Sequence, residues 1–221
     1  MSVVNGPKSL VRDGLIFCVD VSNTKSYPGA GTDWFDISGQ GNDGVLAGSV
    51  IFTTENGLPV FNVSVNGGSQ ITFANPDLSS SNNTVIVGSR AVTPKGRVLS
   101  GGAGSPNWLL GHWSTYGGQC YQGGWVSTQW TEYANGEIWN IYGCTCVPFT
   151  LGDYYEFYIN SELIVANANG SSGPNGLRVS GYSPTGEKTE CRVSFILAYD
   201  RVLTATEIAD VFEVYNGRFG L

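Results

Sequence analysis

The 221 residues carry a formal charge of −7 and a pI near 4.6, with no Lys/Arg cluster anywhere, which speaks against nucleic acid as a partner. With 31 glycines, nine prolines and 13% charged residues, the chain is unsuited to long ion-paired helices and favours many short strands joined by tight turns; 41% hydrophobic residues suffice for one sizeable core. No apolar run approaches the roughly 20 residues that span a bilayer, and Met1-Ser-Val-Val-Asn-Gly-Pro-Lys8 has no apolar signal region, so a soluble protein made in a cytosol, with no membrane partner, is expected.

Residues 1–12 read as an N-terminal arm ending in Lys8-Ser-Leu-Val-Arg12, and residues 13–221 as one domain. Strand-forming segments rich in Val, Ile, Phe, Tyr and Trp then recur at 14–21, 45–52, 58–65, 69–74, 84–93, 96–101, 107–113, 121–128, 137–144, 154–168, 177–182 and 191–199. Glycine, proline or asparagine separates them, as antiparallel pairing in a sandwich or barrel requires. Tyr155 to Ala166 is the clearest hairpin, with Asn160-Ser161 as its turn, although serine suits the left-handed backbone of such turns less well than glycine. Tyr116-Gly-Gly-Gln-Cys-Tyr-Gln-Gly-Gly-Trp125 reads as a glycine-rich exposed loop. A single helix follows Tyr199. Thr204 and Glu207 form a capping box, Ile208, Val211, Phe212 and Tyr215 make one apolar stripe, and Gly217, with Asn216 as alternative, is the expected C-terminal stop.

Candidate chemistry is sparse. Gly39-Gln-Gly-Asn-Asp-Gly44 matches G-x-G-x-x-G, but strand rather than helix follows, so these are turn glycines and not a nucleotide cradle. Asp36, Ser38 and Asn42 can hold that turn by side-chain hydrogen bonds; the same oxygens are the one candidate set for Ca²⁺, without the bidentate glutamate of dedicated calcium loops, and otherwise no cofactor is expected. Five cysteines, an odd number, read as reduced, buried thiols; Cys144 and Cys146 would share a strand face but fall short of the ligands zinc needs, so no metal site is assigned. Glu132 and Glu137 would face opposite sides of a strand, and a turn separates Glu156 from Glu162, so paired-carboxylate catalysis is not indicated. His112 is the one histidine, set in a strand-like Trp108-Leu-Leu-Gly-His-Trp-Ser114, so neither a catalytic residue nor an enzyme is expected. Five of the six tryptophans lie between positions 108 and 139. At least half are expected in the core, while Tyr116, Tyr121, Trp125 and Trp130 are the candidate residues for binding a glycan or forming an interface.

Three blocks carry a family resemblance. They are Asp13-Gly-Leu-Ile-Phe-Cys-Val-Asp20 with Asp36-Ile-Ser-Gly-Gln-Gly-Asn-Asp-Gly44; Asn107-Trp-Leu-Leu-Gly-His-Trp113 with Asn160-Ser-Glu-Leu-Ile-Val-Ala166; and Ile196-Leu-Ala-Tyr-Asp-Arg-Val-Leu-Thr204 with its helix. Together they resemble the laminin-G-like, concanavalin A-like jelly-roll domains of bacterial surface proteins and of tailed-phage virion proteins, including phages of cyanobacteria. The resemblance implies an all-β, two-sheet antiparallel jelly-roll sandwich with one short C-terminal helix. It implies a non-enzymatic virion structural protein on the particle exterior, made in the host cytoplasm: a capsid decoration or cement protein or a fibre-like appendage, bound to other virion proteins such as the capsid shell and self-associating as a homo-oligomer. The alternative is a lectin-like carbohydrate-binding module for host surface glycans. Where relatives carry acidic residues after the third strand, this chain has Phe61-Asn-Val-Ser-Val-Asn-Gly-Gly68, with no carboxylate for calcium.

Overall fold

A computed structural model describes residues 8–79, 82–93, 95–102, 106–147, 154–182 and 186–221. In chain order the strands are β1 (Leu15–Asp20), β2 (Asp33–Trp34), β3 (Gly44–Ala47), β4 (Val50–Glu55), β5 (Leu58–Val63), β6 (Gln70–Asp77), β7 (Asn83–Thr93), β8 (Leu99–Gly101), β9 (Trp108–Trp113), β10 (Tyr116–Gln122), β11 (Asn140–Val147), β12 (Tyr154–Ile159), β13 (Glu162–Asn167), β14 (Asn175–Val179) and β15 (Glu190–Tyr199), followed by helix α1 (Ala205–Phe219). Among the described residues they form two sheets. The first runs β13-β12-β11-β7-β15-β5-β4, with β1 also paired to β15; the second runs β10-β9-β8-β14-β6-β3-β2. Every strand pair is antiparallel. The chain is therefore the two-sheet antiparallel jelly-roll sandwich, closed by one C-terminal helix, that its sequence implies.

Strand β15 shows why this sequence makes three layers. It is apolar almost throughout, as a strand covered on both faces must be. Cys191, Val193, Ile196 and Ala198 point into the core between the sheets with Trp34, Phe61, Phe73 and Trp108. Phe195, Leu197 and Tyr199 point the other way and, with Leu15, Ile86 and Tyr158, receive Ile208, Val211 and Tyr215 of α1. The helix thus covers the outer face of the first sheet and leaves the outer face of the second to loops and solvent. Phe195 lies stacked on Tyr215, centroids 3.7 Å apart, and its ring crosses β7 at Gly88, where a Cβ would sit 2.3 Å from the ring.

The capping box forms as expected: Glu207 N–H donates to Thr204 Oγ1 (3.2 Å), and Thr204 N–H donates to Glu207 Oε2 (2.9 Å). Arg201 pairs with Glu207 at 2.6 Å, and Arg218 holds both oxygens of Asp20, tying the far end of α1 to β1. The helix stops at Gly220 (φ 68°), not at Gly217 or Asn216, which lie inside it. The buried Tyr215 and the ring of Phe219 against Trp139 carry the helix past Gly217. Asn160 and Ser161 do form the β12–β13 turn, with φ of 50° and 68°. Residues 1–7 of the expected arm lie outside the described residues. Residues 8–12 rest on the body: Lys8 pairs with Asp210, Leu10 and Val11 pack beside the helix, and the Val11 carbonyl accepts from Tyr199.

Two expectations are corrected. Tyr116–Trp125 is not one loop and 121–128 is not a strand: Tyr116–Gln122 is strand β10, and the chain turns back at Gly123 and Gly124. Glycines there signal close approach of a covering segment, since a Cβ on Gly117 would lie 2.1 Å from the Ala134 carbonyl. Nor are half of the tryptophans core residues. Trp34 and Trp108 are fully buried, Trp113, Trp125 and Trp139 are half-buried, and Trp130 is exposed.

Candidate functional site: an aromatic bench on the second sheet

Strands β9 and β10 form a hairpin whose side chains alternate between core and outer face. Trp108, Leu110 and Cys120 are in the core. The period of two then sends Leu109, Trp113 and Tyr121 outward, and the register shift in β10 between Gly117 and Gln119 turns Tyr116 to the same face, with Trp113 opposite Tyr116 and Leu109 opposite Tyr121. After β10 the chain reverses: Gln122 N–H donates to the Gly124 carbonyl (2.9 Å), and Tyr121 bridges to Trp125. Val126 and Ser127 N–H groups then both donate to the Cys120 carbonyl at 3.1 Å, and Asn167 holds the Val126 carbonyl at 2.7 Å. Further on, Gln119 donates to the Thr131 carbonyl (2.5 Å) and Tyr133 N–H donates to the Gly117 carbonyl (3.2 Å). Residues 123–139 are thereby fastened over β10, and Trp125 and Trp130 come to the rings already on the sheet.

The result is a continuous run of five rings. Centroid separations are 5.4 Å for Tyr116–Trp130, 4.7 Å for Trp130–Trp113, 5.2 Å for Trp113–Trp125 and 5.1 Å for Trp125–Tyr121, all tilted or edge-on. Trp130 is 55% exposed and sits at φ 67°, a left-handed conformation that bulky residues rarely adopt.

Beside the rings lies a depression of about 260 Å³, with Trp113, Tyr121 and Trp125 on one side and Asn107, Gln129 and Glu187 on the other. Arg97 forms its floor, 4% exposed, donating to Glu187, to Asn107 Oδ1 (2.7 Å) and to the Trp108 carbonyl (3.3 Å), while its guanidinium lies 4.7 Å from the Tyr182 ring. Glu187 neutralises Arg97 yet keeps its side chain 44% exposed. The depression therefore offers a carboxylate and two amides, which suit hydroxyl groups, next to flat apolar faces.

All four sequence candidates, Tyr116, Tyr121, Trp125 and Trp130, lie in this run. Sequence reasoning missed Trp113, the central ring, although alternation from Trp108 places it outward. It also missed Arg97, Asn107, Gln129 and Glu187; Arg97 and Glu187 are 90 positions apart and carry no local signal.

The other candidates are occupied by structure. His112 is buried, its Nδ1 donating to the Gly96 carbonyl (2.8 Å), and burial lowers its pKa. The Asp36 carboxylate accepts from the N–H groups of Cys18 (2.9 Å), Ser38 (2.8 Å) and Asn42 (3.0 Å) and from Ser38 Oγ, so its lone pairs serve the turn. Among the described residues no group of three or more His, Cys, Asp or Glu is arranged to hold a metal. All five cysteines are buried and none forms a disulfide, and no helix of the described residues is long and apolar enough to cross a membrane.

No family model matches the chain, and no curated protein matches it. Solved structures do. The binding domain of paraclostridial mosquitocidal protein 1 superposes with a TM-score of 0.65 at 16% identity, over 92% of this chain and 53% of that one. The receptor-binding domain of botulinum neurotoxin type G gives 0.64 at 16%, over 91% and 51%. The binding domain of botulinum neurotoxin DC in complex with SialylT gives 0.62 at 11%, over 91% and 51%. At these identities the likeness is one of fold, and the chain spans about half the length of the structures it matches.

Proposed function

We propose that this chain is a non-catalytic, lectin-like module that binds glycans through the aromatic bench. The observation that carries the reading is the unbroken run Tyr116–Trp130–Trp113–Trp125–Tyr121 beside the acceptor and amide groups of Glu187, Asn107 and Gln129. Aromatic faces take the apolar faces of sugar rings, and the polar groups take their hydroxyls. A core-only role would not need a tryptophan more than half exposed on a strained backbone. The fold neighbours, binding domains and in one case a binding domain in complex with SialylT, lend general support. The test is a glycan array, with and without Ca²⁺, probed with wild type, Trp125→Ala and Trp130→Ala. Hits that both variants lose support the reading, and a blank array contradicts it.

The setting expected from the family resemblance, the exterior of a phage particle with self-association, is proposed as a second reading. Supporting it, β4 ends its sheet and exposes Ile51 (56%) and Phe52 (38%), an apolar edge suited to strand addition or docking on a shell. Co-pelleting of the purified protein with particles that lack it checks this, and a protein left in the supernatant would count against it.

A further inference from the structure

A second feature of the same outer face lies away from the bench. Arg178 of β14 points outward between the core residues Leu177 and Val179, opposite Thr72 of β6 and Ser100 of β8. A bulge at Gly176, where the pairing with β6 shifts register, sets up this stretch of β14. Arg178 is 6% exposed, and its Nη1 donates to the Tyr182 carbonyl at 2.8 Å. Its Nε is buried without a hydrogen-bond partner.

Two arginines thus flank Tyr182 with different fates. Arg97 has Glu187, whereas no ion pair within 4.0 Å among the described residues involves Arg178. Lys188 has none either: its ammonium rests on the Ser69 carbonyl, and burial together with the charge of Arg178 lowers its pKa. In a chain of net charge −7, two neighbouring cations therefore stand without an acidic partner among the described residues, and one of them is buried. A buried charge calls for a counter-ion. Arg178 also lines a cavity of about 380 Å³ with Thr72, Ala74, Gly102 and Asn175, a volume within the range of small-ligand sites.

We infer that this cavity binds a carboxylate, carried by an acidic sugar or by a small carboxylic acid, with the Arg178 guanidinium fork as its principal partner and Lys188 adding charge nearby. A planar guanidinium whose Nε has no partner matches a planar carboxylate, and Thr72 and Asn175 give polar walls for the remainder of the ligand. The site does not depend on the bench.

The test titrates the full chain with sodium glucuronate, sodium acetate, glucose and inorganic phosphate at constant ionic strength, by calorimetry and thermal shift. Saturable binding of glucuronate without glucose binding is the expected result. Binding of acetate as well identifies a small acid as sufficient, and binding of glucuronate alone identifies the sugar acid. Arg178→Gln should weaken glucuronate binding by about tenfold or more while unfolding at a temperature equal to or above that of wild type, because it removes an unpaired buried charge. Lys188→Gln, at a more exposed position, should weaken it a few-fold and serves if Arg178→Gln does not fold. Trp125→Ala should leave glucuronate binding intact, which separates this site from the bench. Unchanged binding in Arg178→Gln, an equal response to glucose, or phosphate binding as tightly as glucuronate would overturn the inference.

Discussion

The indole of Trp130 packs 4.7 Å from that of Trp113, and Trp130 holds a left-handed backbone, φ 67°, in doing so. Bulky residues adopt this conformation at a cost of order 1 kcal/mol or more, and glycine adopts it freely. Trp130→Gly should therefore keep its unfolding free energy within about 1 kcal/mol of wild type, lost packing offsetting relieved strain, yet bind glycans weakly. Urea unfolding beside the glycan array checks both halves.

Gly117 sits under the segment that carries Trp130. A methyl group there would lie 2.1 Å from the Ala134 carbonyl and 2.6 Å from Gly136 N, both backbone atoms. Gly117→Ala should lift residues 123–139 from β10 without unfolding the sandwich. Limited proteolysis should then cut in that segment, and glycan binding should fall in parallel.

Gly88 is a stricter case. Its added Cβ would meet the Phe195 ring at 2.3 Å, and that ring cannot retreat because Tyr215 is stacked on it at 3.7 Å. Gly88→Ala should cost about 1–3 kcal/mol by overpacking, measured as a fall in the denaturant midpoint. No change at all would mean that the helix yields readily.

Stability in acid should report the helix cap. Hydrogen bonds from Arg201, and next from the Thr204 backbone, hold the Glu207 carboxyl down at about 2 from an ordinary 4.5. A folded-state pKa below the unfolded one contributes stability that is fully present above about 4.5 and is lost as the pH falls toward about 2. Glu207→Gln should cost about 1 kcal/mol at neutral pH, a modest figure because the pair is partly solvated, and should flatten that acid limb. Thermal melts between pH 2 and pH 7, values that bracket the titration, test the sign.

The thiols give an independent check on the core. Burial pushes Cys18 and Cys191 up to about 12, and all five cysteines are buried and outside any disulfide. Native protein at pH 8 should not react with iodoacetamide, and denatured protein should take five labels.

Much of the fold was legible because it rests on local rules. The capping box at Thr204 and Glu207, the apolar stripe from Ile208 to Tyr215, and the apolar strand at 191–199 follow from spacing and composition alone. Where reading failed, a tertiary contact had overridden a local cue. Gly117 and Gly118 look like loop residues but lie in a strand roofed by another segment, and Gly217 yields to the burial of its neighbours. The four bench candidates were marked by composition; their assembly, and the polar groups from Arg97 to Glu187, depend on long-range register that no window of sequence contains.

The central claim is tested most directly by titrating the strongest glycan-array hit into wild type and Trp125→Ala by isothermal calorimetry, with circular dichroism confirming that the variant is folded. The account predicts saturable binding by wild type and a loss of several-fold to about tenfold in Trp125→Ala, since stacking on one aromatic ring contributes up to about 1.5 kcal/mol and about 1.4 kcal/mol is tenfold. Equal binding by the two folded proteins would contradict it.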